Sequence, residues 1–252
     1  MRLLTDTWLL FKNYMMSTLR QPVWILISLF TPICYLLLFA PLLDKMIVPS
    51  GPNTNALTSF TPGVVVMLGM FGSLFVGFSI ISDLRAGIVE RLRVTPVSRL
   101  APLLGRALRD ACLLLVQCLL LVTLAFILGL KADFWGVVLS LVLVIPMGIA
   151  LASLSYAVGL MLKSEDAFAP LLNFFTTPLL LLSGVLLPLS LAPDWLQGAA
   201  KISPFYYIVN ATRALFLGDF SDNAVWIGFG LVIVLAVLCV YWAANIFRRA
   251  TA

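Results

Sequence analysis

The sequence predicts an all-α integral membrane protein with six transmembrane helices. Around them it places an N-terminal interfacial helix, a short cytoplasmic helix, and an external re-entrant hairpin before the last span, with both termini in the cytoplasm. Three observations predict this. Hydrophobic residues make up 62% of the 252 positions and charged residues 11%, against about 45–50% and about 25% in soluble domains. Six apolar runs, free of Lys, Arg, Asp and Glu, each reach the roughly 20 residues a helix needs to cross a bilayer core. The basic residues fall unequally on the two sides of those runs, which sets the orientation.

Taken in order, Met1 to Gln21 predicts a helix lying in the cytoplasmic interface. Leu4, Trp8, Phe11, Met15 and Leu19 recur at helical spacing on one side, with Arg2, Asp6, Asn13, Ser17 and Arg20 on another. This stretch lacks the long apolar core and small-residue cleavage site of a secretory signal, so the chain is expected to keep its length. The spans are predicted at Pro22 to Leu43, Phe60 to Ser82, Ala111 to Leu130, Phe134 to Leu162, Ala167 to Leu189 and Asn223 to Phe247.

With the N-terminus inside, the cytoplasmic side collects Arg2, Lys12, Arg20, Arg85, Arg91, Arg93, Arg99, Arg106, Arg109, Lys163, Arg248 and Arg249. Only Lys45, Lys131, Lys201 and Arg213 fall outside, as the positive-inside rule requires. The net charge of +5 is therefore orientation information. Basic residues scattered among apolar runs do not make a nucleic-acid face.

Two connections are long. The cytoplasmic one, residues 83–109, is strongly basic. Within it Ile88 to Arg93 can form about two helical turns, and Thr95-Pro96 stops them, because the residue before proline avoids the helical region. A short rigid helix of this kind suits a lever against another protein; a loop that only fixes topology and touches anionic lipid is the plainer alternative. The external connection, residues 190–222, holds a helix start at Pro193-Asp194-Trp195-Leu196, a break at Lys201 to Pro204, and an apolar stretch from Phe205 to Leu217 carrying Asn210 and Arg213. Thirteen residues are too few to span, so this stretch predicts a re-entrant or interfacial helix.

Several function classes are excluded. The chain has no histidine, so no Ser-His or Cys-His nucleophile pair exists. Cys34, Cys112, Cys118 and Cys239 sit singly in apolar stretches and make no metal spacing. No phosphate-binding G-x-x-x-x-G-K-[ST] loop is present. Spans without ionisable groups argue against a gradient-driven carrier. A pump built on this chain must therefore take its energy from a separate ATPase. The alternative is a membrane assembly factor or channel with no ATPase partner.

Gly87-Ile88-Val89-Glu90-Arg91-Leu92-Arg93-Val94-Thr95-Pro96-Val97-Ser98-Arg99 resembles the cytoplasmic motif of the type-2 ABC exporter permeases. Leu182-Ser183-Gly184-Val185-Leu186-Leu187-Pro188, with Ile202-Ser203-Pro204-Phe205-Tyr206-Tyr207 and Arg213, resembles the same family's fifth span and external hairpin. The resemblance covers nearly the whole chain. It implies a single permease domain with no catalytic residues, paired with a second copy or a paralogue; with no organelle address visible in the sequence, this multi-pass chain is expected in a plasma (inner) membrane of bacterial type. Beneath it would sit cytoplasmic ATPase subunits that carry ATP and Mg. The helix near Gly87 to Val94 would be the coupling helix, and substrate, in this family drugs, lipids, glycolipids or polysaccharides, would move outward along the second and fifth spans.

On this reading the ATPase-coupling residues are Gly87, Glu90, Arg91, Arg93, Thr95, Pro96 and Arg99. The candidate pathway residues are Gly69, Ser73 and Gly77 in the second span, with Asn173, Thr176 and Thr177 in the fifth. The external segment is represented by Pro204, Phe205, Tyr206, Asn210 and Arg213. Gly69, Ser73 and Gly77 recur every fourth residue, and Gly148, Ala152, Ser155 and Gly159 recur every third or fourth in the fourth span, which also suits close helix packing. Aromatics in the fifth span are confined to Phe168, Phe174 and Phe175 near its cytoplasmic end, so the substrate is expected to be a hydrophobic or amphipathic small molecule.

Overall fold

The structure is a computed structural model that describes residues 2–20, 22–43, 56–88, 100–185 and 192–250. Its described elements are helices: α1 Arg2–Leu19, α2 Pro22–Leu43, α3 Ala56–Leu74, α4 Gly77–Arg85, α5 Ala101–Ile127, α6 Phe134–Leu162, α7 Glu165–Ser183, α8 Asp194–Ala200, α9 Pro204–Phe216 and α10 Asn223–Ala250. Five stretches are long and apolar enough to cross a membrane: Leu57–Arg85, Ala101–Ile127, Phe134–Leu162, Glu165–Ser183 and Asn223–Arg249. In α2 the apolar stretch among the described residues is the shorter Ile25–Phe39.

The architecture is a bundle around α6, which lies against α3, α4, α5, α7, α9 and α10. Met147, Val144, Ala152, Tyr156 and Ala157 of α6 are sealed from the surface together with Val64, Val65, Val66 and Met70 of α3. Asp133 caps α6, its carboxylate accepting from the Gly136 N–H at 2.8 Å, which satisfies one of the helix's free N-terminal donors. At the other end Lys163 takes the left-handed conformation (φ 54°) and its N–H returns to the Gly159 carbonyl, closing the helix. Both α7 and α10 turn an apolar face outward, exposing Phe174, Phe175 and Leu181, and Trp226, Ile233, Val237 and Tyr241.

Four predicted boundaries change. The second span, expected as one run from Phe60 to Ser82, is two helices with a break at Phe75 and Val76. There Ser155 of α6 enters the gap: its hydroxyl accepts from the Gly77 N–H at 2.9 Å and donates to the Leu74 carbonyl at 2.5 Å. A neighbouring helix thus supplies the partners the ladder loses, which lets irregular backbone survive inside a bundle. A Cβ on Gly77 would lie 2.6 Å from both the Ser155 carbonyl and its hydroxyl, so glycine permits this crossing.

The third span begins at Ala101, ten residues before the expected Ala111. The cytoplasmic connection predicted over 83–109 is therefore helical at both ends, and Arg106, Arg109 and Asp110 ride inside a helix that was expected to be free of charge. The fifth span stops at Ser183 rather than Leu189, because Gly184 turns left-handed (φ 70°). The last helix continues past Phe247 to Ala250. Helices α8 and α9 lie close to the bounds the sequence predicts, separated at Lys201 to Ser203. The predicted short helix at Ile88 to Arg93 lies, apart from Ile88, outside the described residues.

Candidate functional site

The end of the bundle formed by the C-terminus of α4 and the N-terminus of α5 holds a cluster of paired charges. Arg106, on the second turn of α5, is only 1% exposed. Its guanidinium donates to the Asp83 carboxylate near the end of α4. The Tyr14 ring of α1 lies 4.6 Å beneath it and the Tyr156 ring of α6 5.8 Å away. Nearly a turn further along α5, Arg109 donates to the carboxylate of Asp110 from Nε (2.9 Å) and from a terminal nitrogen (2.6 Å), and to the Tyr156 hydroxyl at 2.9 Å. The Tyr156 hydroxyl in turn donates to Asp110. Each buried cation here faces a carboxylate, which is the condition under which such burial is tolerated. A more exposed pair, Arg85 with Glu165 at 3.2 Å, links the end of α4 to the start of α7.

Sequence reasoning missed this cluster. Arg106 and Arg109 were read as topology-fixing loop charges. The signal available was the i, i+3, i+4 spacing of Arg106, Arg109 and Asp110 immediately before an apolar run, with helix-forming residues and no breaker between. Their partners Tyr14, Asp83 and Tyr156 come from three other helices, and no local pattern identifies them.

The anticipated residues fall in four places. Gly87, in the coupling group, closes α4 with φ 67° and its N–H on the Leu84 carbonyl at 3.1 Å. Glu90, Arg91, Arg93, Thr95, Pro96 and Arg99 lie outside the described residues. In α3 and α4, Gly69, Ser73 and Gly77 face α6 in close contact. A Cβ on Gly69 would lie 2.7 Å from the Met147 methyl, and Ser73 Oγ sits 3.0 Å from where a Gly148 Cβ would be.

In α7, Asn173 and Thr177 share an exposed face, with the Thr177 hydroxyl donating to the Asn173 carbonyl at 3.1 Å. Thr176 is buried and donates to the Leu172 carbonyl at 2.6 Å. The second-span stripe and the exposed pair in α7 therefore do not meet within one copy of the chain. Thr176 lines a cavity of about 350 Å³ between α6, α7 and α10, walled by Leu151, Leu172, Phe175, Leu235 and Cys239. Ser73 lines a second cavity, of about 260 Å³, with Ser28, Arg109, Asp110 and Gln117.

At the other end of the bundle Pro204 occupies the first turn of α9, where its missing N–H costs nothing. Phe205 is buried, while Tyr206 and Asn210 are half-buried. Arg213 reaches across the bundle. Its Nε donates to the Ser59 carbonyl at 3.2 Å and a terminal nitrogen to the Gly184 carbonyl at 2.7 Å. It ties α9 to the start of α3 and the end of α7, beside the point where a Cβ on Gly63 would meet the Val185 carbonyl at 2.5 Å. The described residues contain no cluster of three or more His, Cys, Asp or Glu able to hold a metal.

A family model described as "ABC-2 type transporter" matches residues 5–217. The daunorubicin resistance ABC transporter permease protein DrrB1 of Streptomyces coeruleorubidus is 27% identical over 241 residues, covering 93% of this chain and 83% of that one. The protein that carries the name transport permease ycf38 in Pyropia yezoensis is 25% identical over 256 residues, covering 95% and 87%.

Proposed function

The chain belongs to the ABC-2 type transporter family, and from that premise we propose how this multi-pass transport permease works. It is the membrane subunit of an ATP-driven exporter. It carries a hydrophobic or amphipathic small molecule, drug-like or lipid-like, out of the cytoplasm, while a separate subunit binds Mg and hydrolyses ATP. α1 lies in the inner interface with Leu4, Trp8 and Leu19 towards lipid, α2 is the first of six spans, and α8 with α9 form an external hairpin that re-enters the membrane. The ATPase docks on the cytoplasmic segment between α4 and α5 through Glu90, Arg91 and their neighbours. The setting is a plasma (inner) membrane of bacterial type.

The observation that carries this reading is the pairing of near-full-length similarity to a drug-resistance permease with a spanning chain that has no phosphate-binding loop of its own. The exposed face of α7 supports a second copy. Asn173 and Thr177 present polar groups on a helix apolar enough to span, and in hydrocarbon such groups call for a protein partner or a watered path. Substrate would pass along that face, between two permeases.

The test is co-expression with a candidate ATPase, reconstitution in lipid nanodiscs and proteoliposomes, and measurement of ATP hydrolysis together with substrate export. Glu90→Ala with Arg91→Ala should leave insertion intact while export falls. Export at the wild-type rate in that double variant, or failure of the wild-type chain to retain any ATPase, would refute the reading.

A further inference from the structure

The segment that leaves α4 and returns at α5 is gripped at both mouths by one ion pair. Asp83 lies on the last turn of α4 and Arg106 on the second turn of α5, and the two are joined across the intervening chain. Arg106 is buried to 1% exposure, and its Nε finds no partner among the described residues. Among the described residues Asp83 is the one carboxylate bonded to this guanidinium, and the Tyr14 and Tyr156 rings flank it. Tyr14 belongs to α1, which also packs its Thr7, Leu10 and Phe11 side against Gly105 of α5. Just past Asp83, Arg85 makes its exposed pair with Glu165, at the foot of α7. Four helices thus converge on the two mouths of the segment between α4 and α5.

We infer that Asp83 and Arg106 staple the two mouths of the 84–105 segment into one body, with Tyr14 seated on the staple. A displacement of that segment is then delivered to α4, α5 and α1 together, and is not dissipated by the mouths spreading apart. Asp83, Arg106 and Tyr14 are positioning residues: they touch neither nucleotide nor substrate. This inference rests on the proposed ATPase docking for its functional consequence, while the staple itself does not.

The experiment separates the two. Hydrogen–deuterium exchange on the permease alone in nanodiscs reads the staple: Asp83→Asn should speed exchange of the backbone amides at 84–88 and 100–106, and Asp83→Glu should restore it. Unchanged exchange in Asp83→Asn overturns the staple. With the ATPase present, Asp83→Asn should hold ATP hydrolysis near the wild-type rate while substrate exported per ATP falls about tenfold, within the range of ordinary coupling free energies. An unchanged ratio overturns the transmission role. If Asp83→Asn does not accumulate, Tyr14→Leu takes its place with the same two readouts: faster exchange with a lower ratio supports the inference, and wild-type values for both overturn it. A wild-type chain that retains no ATPase refutes the docking and the transmission role with it; the exchange result then decides the staple.

Discussion

Ser155→Ala removes one hydroxyl and leaves two backbone groups without partners. The Ser155 hydroxyl is the only described partner of the Gly77 N–H and of the Leu74 carbonyl at the break between α3 and α4, and Ser155 itself is 2% exposed. A buried polar group stripped of its partner costs about 1–3 kcal/mol, so two of them place the loss at about 2–6 kcal/mol. The alanine introduces no new contact and little cavity, since only an oxygen is deleted. Two residues away, Ser153 provides the control. It is 1% exposed, and its hydroxyl has no partner among the described residues. Ser153→Ala deletes a polar atom that already pays for its burial, and should be neutral or stabilising by up to about 1 kcal/mol. The assay is unfolding of the purified permease in mild detergent, by thermal ramp and by titration with a denaturing detergent, with the two variants side by side. Equal shifts for Ser155→Ala and Ser153→Ala would refute the argument, because they would mean that burial alone, and not the bridge, sets the cost.

Three further substitutions test the end of the bundle that carries α8 and α9. Gly136→Ala would place a Cβ 1.7 Å from the Leu215 carbonyl oxygen; since backbone cannot step aside, the expected cost is about 3 kcal/mol, read as lost accumulation or a lower unfolding temperature. Gly198→Ala meets nothing within 4 Å in α8 and should stabilise by about 0.5–1 kcal/mol. Arg213→Met keeps the stem and deletes the two bonds to Ser59 and Gly184; bonds from a charged donor are worth about 1.5–3 kcal/mol each in favourable cases. It should loosen the outer ends of α3 and α7, seen as faster proteolysis at 184–192, with little change at the cytoplasmic end.

Much of the helix map was legible because hydropathy reports burial in lipid directly. The run Phe134 to Leu162 was bounded correctly by Asp133, a capping residue, and by the charged turn at Lys163. The division of the external stretch was legible from Pro193 and Pro204, residues that start helices. The break at Phe75 and Val76 was not legible. Nothing in Leu74-Phe75-Val76-Gly77 forbids a continuous helix, and the alternative is stabilised by a serine 78 residues away from Gly77. The start of α5 was missed for a different reason. Span prediction rejects windows that contain charge, yet Arg106, Arg109 and Asp110 are neutralised by one another and by Asp83, so their helix continues down to Ala101. The early end of α7 had a visible cue in Ser183-Gly184, outweighed by the apolar residues that follow. For the candidate site, the sequence could name small residues in the second span and polar ones in the fifth, but which face each presents was decided by α6 and could not be read from α3 or α7 alone.

The position of α6 makes the chain unequally tolerant of length changes. One residue deleted within a helix swings everything beyond it by about 100° and pulls it back by about 1.5 Å. In α10 such a slip would mostly trade one oily outward side chain for another along Trp226 to Tyr241. In α6 it would withdraw Ser155 from its gap, turn Tyr156 away from Asp110 and break register with six neighbouring helices at once. Natural insertions and deletions among relatives should therefore gather at the rim of the bundle, and engineered tags or reporters belong there too.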